Sequence, residues 1–236
     1  MRLKFHRNSN QFMLMSSSNE KLKITKMYLL VRKVLPSSAV RLGHVEALLV
    51  SSAKYPIRRT GMKTVSITAG LQDKSIDNLY LGPTPQRITI GFVDNKAYNG
   101  DYKLNGFKFQ HFNVNYLCLH IRDSFRQNRL RLILKTGSTW KLFSSIFSGT
   151  GIHFKDAGNY ISRNDYPNGY CFYVFDLTYD LSANDGHWNV QRQGTVRLDV
   201  RFKEPLQQPI NCVIMAEFHN LIEIDRHRNV IVDFSN

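Results

Sequence analysis

The residues of this chain that could do chemistry are eight histidines, three cysteines and a scatter of serines and carboxylates. The histidines are His6, His44, His111, His120, His153, His187, His219 and His227, and no pair stands at the four-residue spacing of a helical zinc site. Cys118, Cys171 and Cys212 form no C-x-x-C, so a structural zinc site has no ligand pair to start from. Asp176, Asp180 and Asp185 ahead of Gly186 have the residue types of a calcium loop. Their spacing is wrong and no glutamate closes the loop, so turn-forming carboxylates account for them better. A Ser/His/Asp relay needs no closeness in sequence, but no G-x-S-x-G elbow marks one here. The strings GSTW and SGTG, around Gly137 and Gly149, lack the Lys-Ser/Thr pair of a phosphate loop. His111 and His219 stand beside strand cores, where a hydrogen-bonded structural imidazole is the usual role. The sequence thus leads us to expect no catalytic residue, no metal site, no cofactor and no enzymatic activity.

The elements that would position these residues are mostly strands. Leu3 and Phe5 alternate with Lys4 and His6, so Met1–Met15 reads as a strand fragment, followed by a polar linker at Ser16–Asn19. Leu22–Val34 reads as a long strand. Val40, Val45, Leu48 and Leu49 predict a short helix within Ser37–Leu49, with Ser37 or Ser38 as N-cap. Period-two alternation predicts strands at Lys63–Ala69, Gln86–Val93 and Phe109–Ile121, the last with Phe112, Val114, Tyr116 and Cys118 on one face. A loop-rich zone runs to Tyr170. Further strands are expected at Cys171–Leu177, Thr195–Phe202, Asn211–Phe218 and Leu221–Phe234, the last folding back at Asp225–Asn229. Asn168-Gly169 and Asn184-Asp185-Gly186 are turn signals. The expected class is all-β, a sandwich or an eight-stranded jelly-roll β-sandwich with one or two short helices in the loops. Core candidates are Phe172, Val174, Leu198, Val200, Phe202, Val213, Met215, Phe218, Ile222 and Ile224.

Bulk properties bound the partner. At 236 residues the chain can bury a sizeable core in one large β domain or two small ones. A formal charge of +14 admits nucleic acid or another acidic surface as partner, and a solvated basic face accounts for it equally well. Arg226, His227 and Arg228 form a basic tip, with Arg197 and Arg201 as further phosphate candidates, although a solvated hairpin turn is the plainer account. Three cysteines in apolar runs read as buried free thiols of a reducing compartment. The apolar piece Phe12–Met15 is too short for a signal-peptide core, and no run approaches the ~20 residues that span a bilayer. No membrane partner is expected.

Several strings, in order, carry a resemblance. They are VRKVLPSS (Val31–Ser38), AKYPIRR (Ala53–Arg59), DNLYLGPTPQRITIGFVDNKAYNG (Asp77–Gly100), FQHFNVNYL (Phe109–Leu117), IFSGTG (Ile146–Gly151), ISRNDYPNGYCFYVFDLT (Ile161–Thr178) and AEFHNLIEIDRHRNVIVDF (Ala216–Phe234). Together they resemble the second jelly roll of the double jelly-roll major capsid proteins of Maverick/Polinton elements and adintoviruses. The resemblance covers nearly all of Leu22–Phe234. It implies a shell-forming structural protein of an integrated virus or transposon-like element. It also implies self-association, trimeric in the intact family, with other capsid proteins as further partners. The expected location is a virion capsid, or the host nucleus or cytoplasm. Residues 1–19 would be a remnant of the preceding roll and linker, residues 20–236 the C-terminal roll, and the chain a truncated copy. The alternative is a host-adopted basic β-sandwich that binds nucleic acid or polyanions.

One stretch departs from the family pattern. After a strand like Leu117–Ile121 the family tends to read D-G, then S-K-P-L-Q-P-D-F-E-N-G-x-Y-V and a helix, where this chain has SFRQNRLRLILKTGSTWKLF after Asp123. Read one base out of phase, Trp140-Lys141 must give glutamate and Lys135-Thr136 must give Asn or Asp. The remaining steps from Arg126 to Phe143 permit S-K-P-L-Q-P-D-F-E-N-G-I-Y-V-E-A-F. Residues 124–142 are therefore expected to be out of frame or, failing that, a divergent loop. A good part of the positive charge lies there, which weakens the nucleic-acid inference.

Overall fold

The computed structural model describes residues 4–18, 20–123, 129–135, 139–155, 158–184 and 186–232, with backbone alone at 123, 129–135 and 139–141. A helical turn, α1 (Asn10–Met13), and a longer helix, α2 (Ser38–Val50), come first. Then follow β1 (Ala53–Ile67), β2 (Asp73–Pro83), β3 (Arg87–Asp94), α3 (Asn95–Asn99), β4 (Val114–Asp123) and β5 (Arg129–Lys135). The chain continues through α4 (Thr139–Thr150), β6 (Phe172–Asp176), β7 (Gln193–Phe202), β8 (Ile210–Ile224) and β9 (Val230–Val232).

One sheet has the order β1-β8-β3-β6, with β9 added to β8, and the other β2-β7-β4-β5. The pairing is nested: first strand with eighth, second with seventh, third with sixth, fourth with fifth. A long hairpin rolled on itself gives that nesting. The fold is a jelly roll.

Two compact units make up the chain. Among the described residues, unit 1 holds 4–21 and 60–218, and unit 2 holds 22–59 and 219–232. Unit 1 contains the sandwich core. Ile88, Ile90 and Phe92 on β3 are fully buried, as are Leu117 and Leu119 on β4 and Val196 and Leu198 on β7. Phe92 meets Tyr173 of its own sheet edge-on at 5.8 Å and Phe202 of the facing sheet at 6.0 Å, so one ring ties both layers. Beside it, Gly91 leaves room for Phe109: a Cβ there would lie 2.6 Å from that ring.

Ser37 caps α2 as expected, its hydroxyl accepting from the Val40 amide at 3.5 Å. The strands expected at Gln86–Val93, Cys171–Leu177 and Thr195–Phe202 are β3, β6 and β7 within a few residues. The hairpin expected at Asp225–Asn229 joins β8 to β9.

Several expectations fail. Described residues 4–15 hold α1 and no strand, because Phe12 turns in to pack edge-on against Phe107 at 5.4 Å. Leu22–Val34 carries no strand either, since apolar residue types alone supply no ladder partner. Phe112 and Asn113 have φ of 41° and 52°, so β4 starts only at Val114. A bulge between Val114 and Tyr116 then turns Leu117, Leu119 and Ile121 into the sandwich, instead of Tyr116 and Cys118. On β8 the inward residues are Ile210, Cys212, Ile214, Ala216 and Phe218, not Val213 and Met215. The zone assigned to loops contains β5 and α4. Asp185 and Phe234 lie outside the described residues, as do 124–128 and 136–138 of the segment expected to be out of frame or divergent.

Candidate functional site

Two Ser/His/Asp clusters stand out among the described residues, both in unit 1. In the β6–β7 connection Ser182 Oγ donates to Asp180 Oδ1 at 2.5 Å. His187 Nε2 lies 3.0 Å from that hydroxyl and 3.1 Å from Asp180 Oδ2. A nucleophilic relay needs the hydroxyl on one ring nitrogen and the carboxylate on the other. Here both converge on Nε2, and the serine proton already points at the carboxylate. The hydrogen bond from Ser182, helped by His187, holds the Asp180 carboxyl down at about 2. Nearby, buried Asp176 accepts from the Thr178 amide and hydroxyl at 2.9 and 2.6 Å and from the Ala183 amide at 3.0 Å. Asp176 and Asp180 thus hold a turn together. No group of three His, Cys, Asp or Glu suited to a metal ion exists among the described residues.

The second cluster lies on β2, β7 and β4. Register sets Ser75 opposite Asp199 and His120 opposite Arg197. Ser75 Oγ donates to Asp199 Oδ1 at 2.5 Å, His120 Nε2 lies 2.8 Å from Asp199 Oδ2, and Arg197 Nε reaches Asp199 at 2.9 Å and Asp77 at 3.2 Å. Serine and histidine meet on the carboxylate, not on each other, so this too is no relay. Burial works to raise Asp199, but the bonds from Ser75 and Arg197 prevail and hold its carboxyl below the ordinary value. Asp77, His120, Arg197 and Asp199 line a cavity of about 410 Å³ with Asn78, Ile121, Arg122 and Thr195. Sequence reading missed the cluster because it missed β2. The signal was present on β7, where Arg197, Asp199 and Arg201 alternate with buried Val196, Leu198 and Val200.

Of the phosphate candidates, Arg197 is committed to two carboxylates and Arg201 lies over the Tyr116 ring at 5.1 Å. Arg226–Arg228 occupies the β8–β9 turn, where Asp225 accepts from the Asn229 amide at 2.8 Å. All three thiols are buried and free. Burial pushes Cys171 up and Cys212 far up from the usual thiol value, so neither is a nucleophile at neutral pH.

A second cavity, about 210 Å³, is lined by Leu142, Val114, Tyr166 and Cys171, all buried, and by His111, Asn113, Asn115, Pro167 and Lys203. Its wall includes the His111–Asn113 turn, closed by the Asn113 amide donating to His111 Nδ1 at 2.9 Å.

Unit 2 presents a surface of another type. His219 is its only buried residue among those described. Leu30 is 95% exposed and Leu35 99%, and α2 buries nothing while showing Val40, Leu42, Val45 and Leu49. Lys23, Lys26, Arg32, Lys33 and Arg41 fall in residues 22–45 with no Asp or Glu between them.

No protein-family profile matches the chain. An uncharacterized protein of Caenorhabditis elegans is 24% identical over 227 residues, covering 90% of this chain and 52% of that protein. VP54 of PBCV-1, fitted into a reconstruction of the virophage Sputnik, is similar at 10% identity and a TM-score of 0.49 over 85% of this chain and 55% of that one. The PBCV-1 virus capsid gives 11% identity and 0.43 over 78% and 52%. The mavirus major capsid protein gives 13% identity and 0.33 over 77% and 41%. The chain spans about half the length of the curated relative it matches.

Proposed function

We propose that this chain is a structural, shell-building protein: the second jelly roll of a capsid-type subunit from an integrated Maverick/Polinton-like element, with no catalytic role. The observation that carries the reading is the pairing of a finished sandwich with a unit that has no core. Exposed apolar residues in such number mark an interface, and unit 2 shows them on both its extended segment and its helix. The ordered strings of the capsid resemblance support it, since they run through the nested strands of one roll. So does the character of both Ser/His/Asp clusters, which are internally satisfied. Partners in this reading are further copies and other capsid proteins, and the location is a capsid or the compartment where one assembles.

Residues 124–142 belong to a shifted frame in this reading. The nucleotide sequence through codon 144 tests that directly: the shifted frame spells the family string, or it does not.

The assembly reading is tested by sedimentation velocity at low and high salt. Because residues 22–45 are basic and acid-free, self-association through unit 2 is opposed by like charge, and salt screens it. Association should grow with salt and vanish in a Leu30→Asp/Leu35→Asp variant. The competing reading, a nucleic-acid binder, predicts the opposite dependence: DNA affinity that falls steeply as salt rises. A monomer at every salt concentration that binds DNA at low salt would move that reading to the front.

A further inference from the structure

These two cavities of unit 1 differ in one chemical respect. In the larger, Asp77 and Asp199 already engage Arg197 and His120, and Arg122 lines it too. The smaller has no carboxylate among its lining residues, yet Lys203 and His111 are there with the amides of Asn113 and Asn115. Neither Lys203 nor His111 makes an ion pair among the described residues. His111 accepts at Nδ1, so the proton of its neutral ring sits on Nε2 as a donor. The exposed members of the lining therefore offer hydrogen-bond donors and one fixed positive charge. The buried members, Leu142, Val114, Tyr166 and Cys171, offer an apolar floor. The Tyr166 hydroxyl is spent on the Phe172 carbonyl at 2.8 Å.

The wall is also held in an unusual backbone. Phe112 and Asn113 are consecutive non-glycine residues at positive φ, and the Lys203 amide donates to the Asn113 carbonyl at 2.8 Å to hold them there. Such strain persists where the surroundings over-determine it, and it clusters at ligand clamps.

We propose that this cavity binds a small monoanion with an apolar body: a carboxylate on a ring or short branched chain, seated on the apolar floor with its charge at Lys203 and His111. The inference is independent of the assembly reading. The same chemistry could arrive as a free small acid or as the C-terminal residue of a neighbouring chain. A volume of about 210 Å³ holds one ring or one large side chain and little else.

Calorimetry on the full chain tests it with benzoate, the neutral benzyl alcohol, and N-acetyl-leucine as the chain-end probe. Benzoate or N-acetyl-leucine should bind at least tenfold tighter than benzyl alcohol. Lys203→Met should remove that preference, and Arg197→Met at the other cavity should leave it intact. Tighter binding of N-acetyl-leucine assigns the site to a chain end, and tighter binding of benzoate to a free acid. The proposal fails if neither acid binds, if the alcohol binds as well as the acids, or if Arg197→Met matters and Lys203→Met does not. Near-ultraviolet circular dichroism of each variant checks the fold; if Lys203→Met alters it, Lys203→Gln takes its place.

Discussion

Leu198 and Leu30 carry the same side chain, one fully buried in unit 1 and the other 95% exposed in unit 2. The difference lies in what surrounds them. Leu198 alternates with polar neighbours on a strand paired on both sides, so its face is closed by the second sheet. Leu30 lies in an apolar run that alternates poorly and has no ladder partner. Unit 1 therefore contains its own stabilisation. Unit 2 contains apolar surface whose stabilisation must come from elsewhere. An α-helix that is apolar around most of its circumference belongs inside a protein, and α2 fits that description, with Val40, Leu42, Val45 and Leu49 all exposed.

The largest effect expected from that comparison is on the core. Phe92→Ala removes the ring that joins both sheets and should cost about 3–5 kcal/mol in denaturant unfolding. Leu30→Ala should stay within about 0.5 kcal/mol, as for exposed residues generally. Equal costs would erase the distinction between the units. Gly91→Ala comes next: its Cβ collides with the Phe109 ring, and overpacking of this type costs about 1–3 kcal/mol. A neutral result would mean that Phe109 is free to move. If residues 124–142 are out of frame as proposed, the restored frame permits a proline at position 131–132, which cannot donate to a ladder, so β5 would lose a rung of its pairing with β4. Amide exchange in β4 should then be faster in the frame-restored chain than in this one.

The smallest effect is on pH. Asp180 is held near 2, below its value in the unfolded chain, so its contribution is complete above about pH 4. It is lost as pH falls toward 2. Asp180→Asn should flatten that part of the acid profile, read by the His187 ring signals. His187→Gln should weaken the dependence and leave its direction unchanged.

Much of the sandwich was legible in the sequence, and the reasons are local. On β7 the strict alternation from Val196 to Phe202 states both strand and face. Ser37 announces α2 by its side-chain chemistry alone. What was not legible depended on partners far away in the chain. β2 is half-exposed and interrupted by Asn78 at φ 51°, so its alternation is weak until β7 pairs with it. The bulge in β4 moves the core face by one residue, which no count of apolar positions reveals. The same blindness applied to Leu22–Val34, where the residue types are those of a strand and the partner is missing. The Ser75–Asp199–His120–Arg197 cluster was hidden for that reason as well, because it exists only through cross-strand register.

The most direct test of the account is hydrogen exchange by mass spectrometry on the dilute chain and on its associated form at high salt. The account predicts slow exchange of β3, β4 and β7 in both, with residues 22–50 fast in the dilute chain and strongly protected on association. Residues 22–50 exchanging alike in the two states, or already protected in the dilute chain, would contradict it.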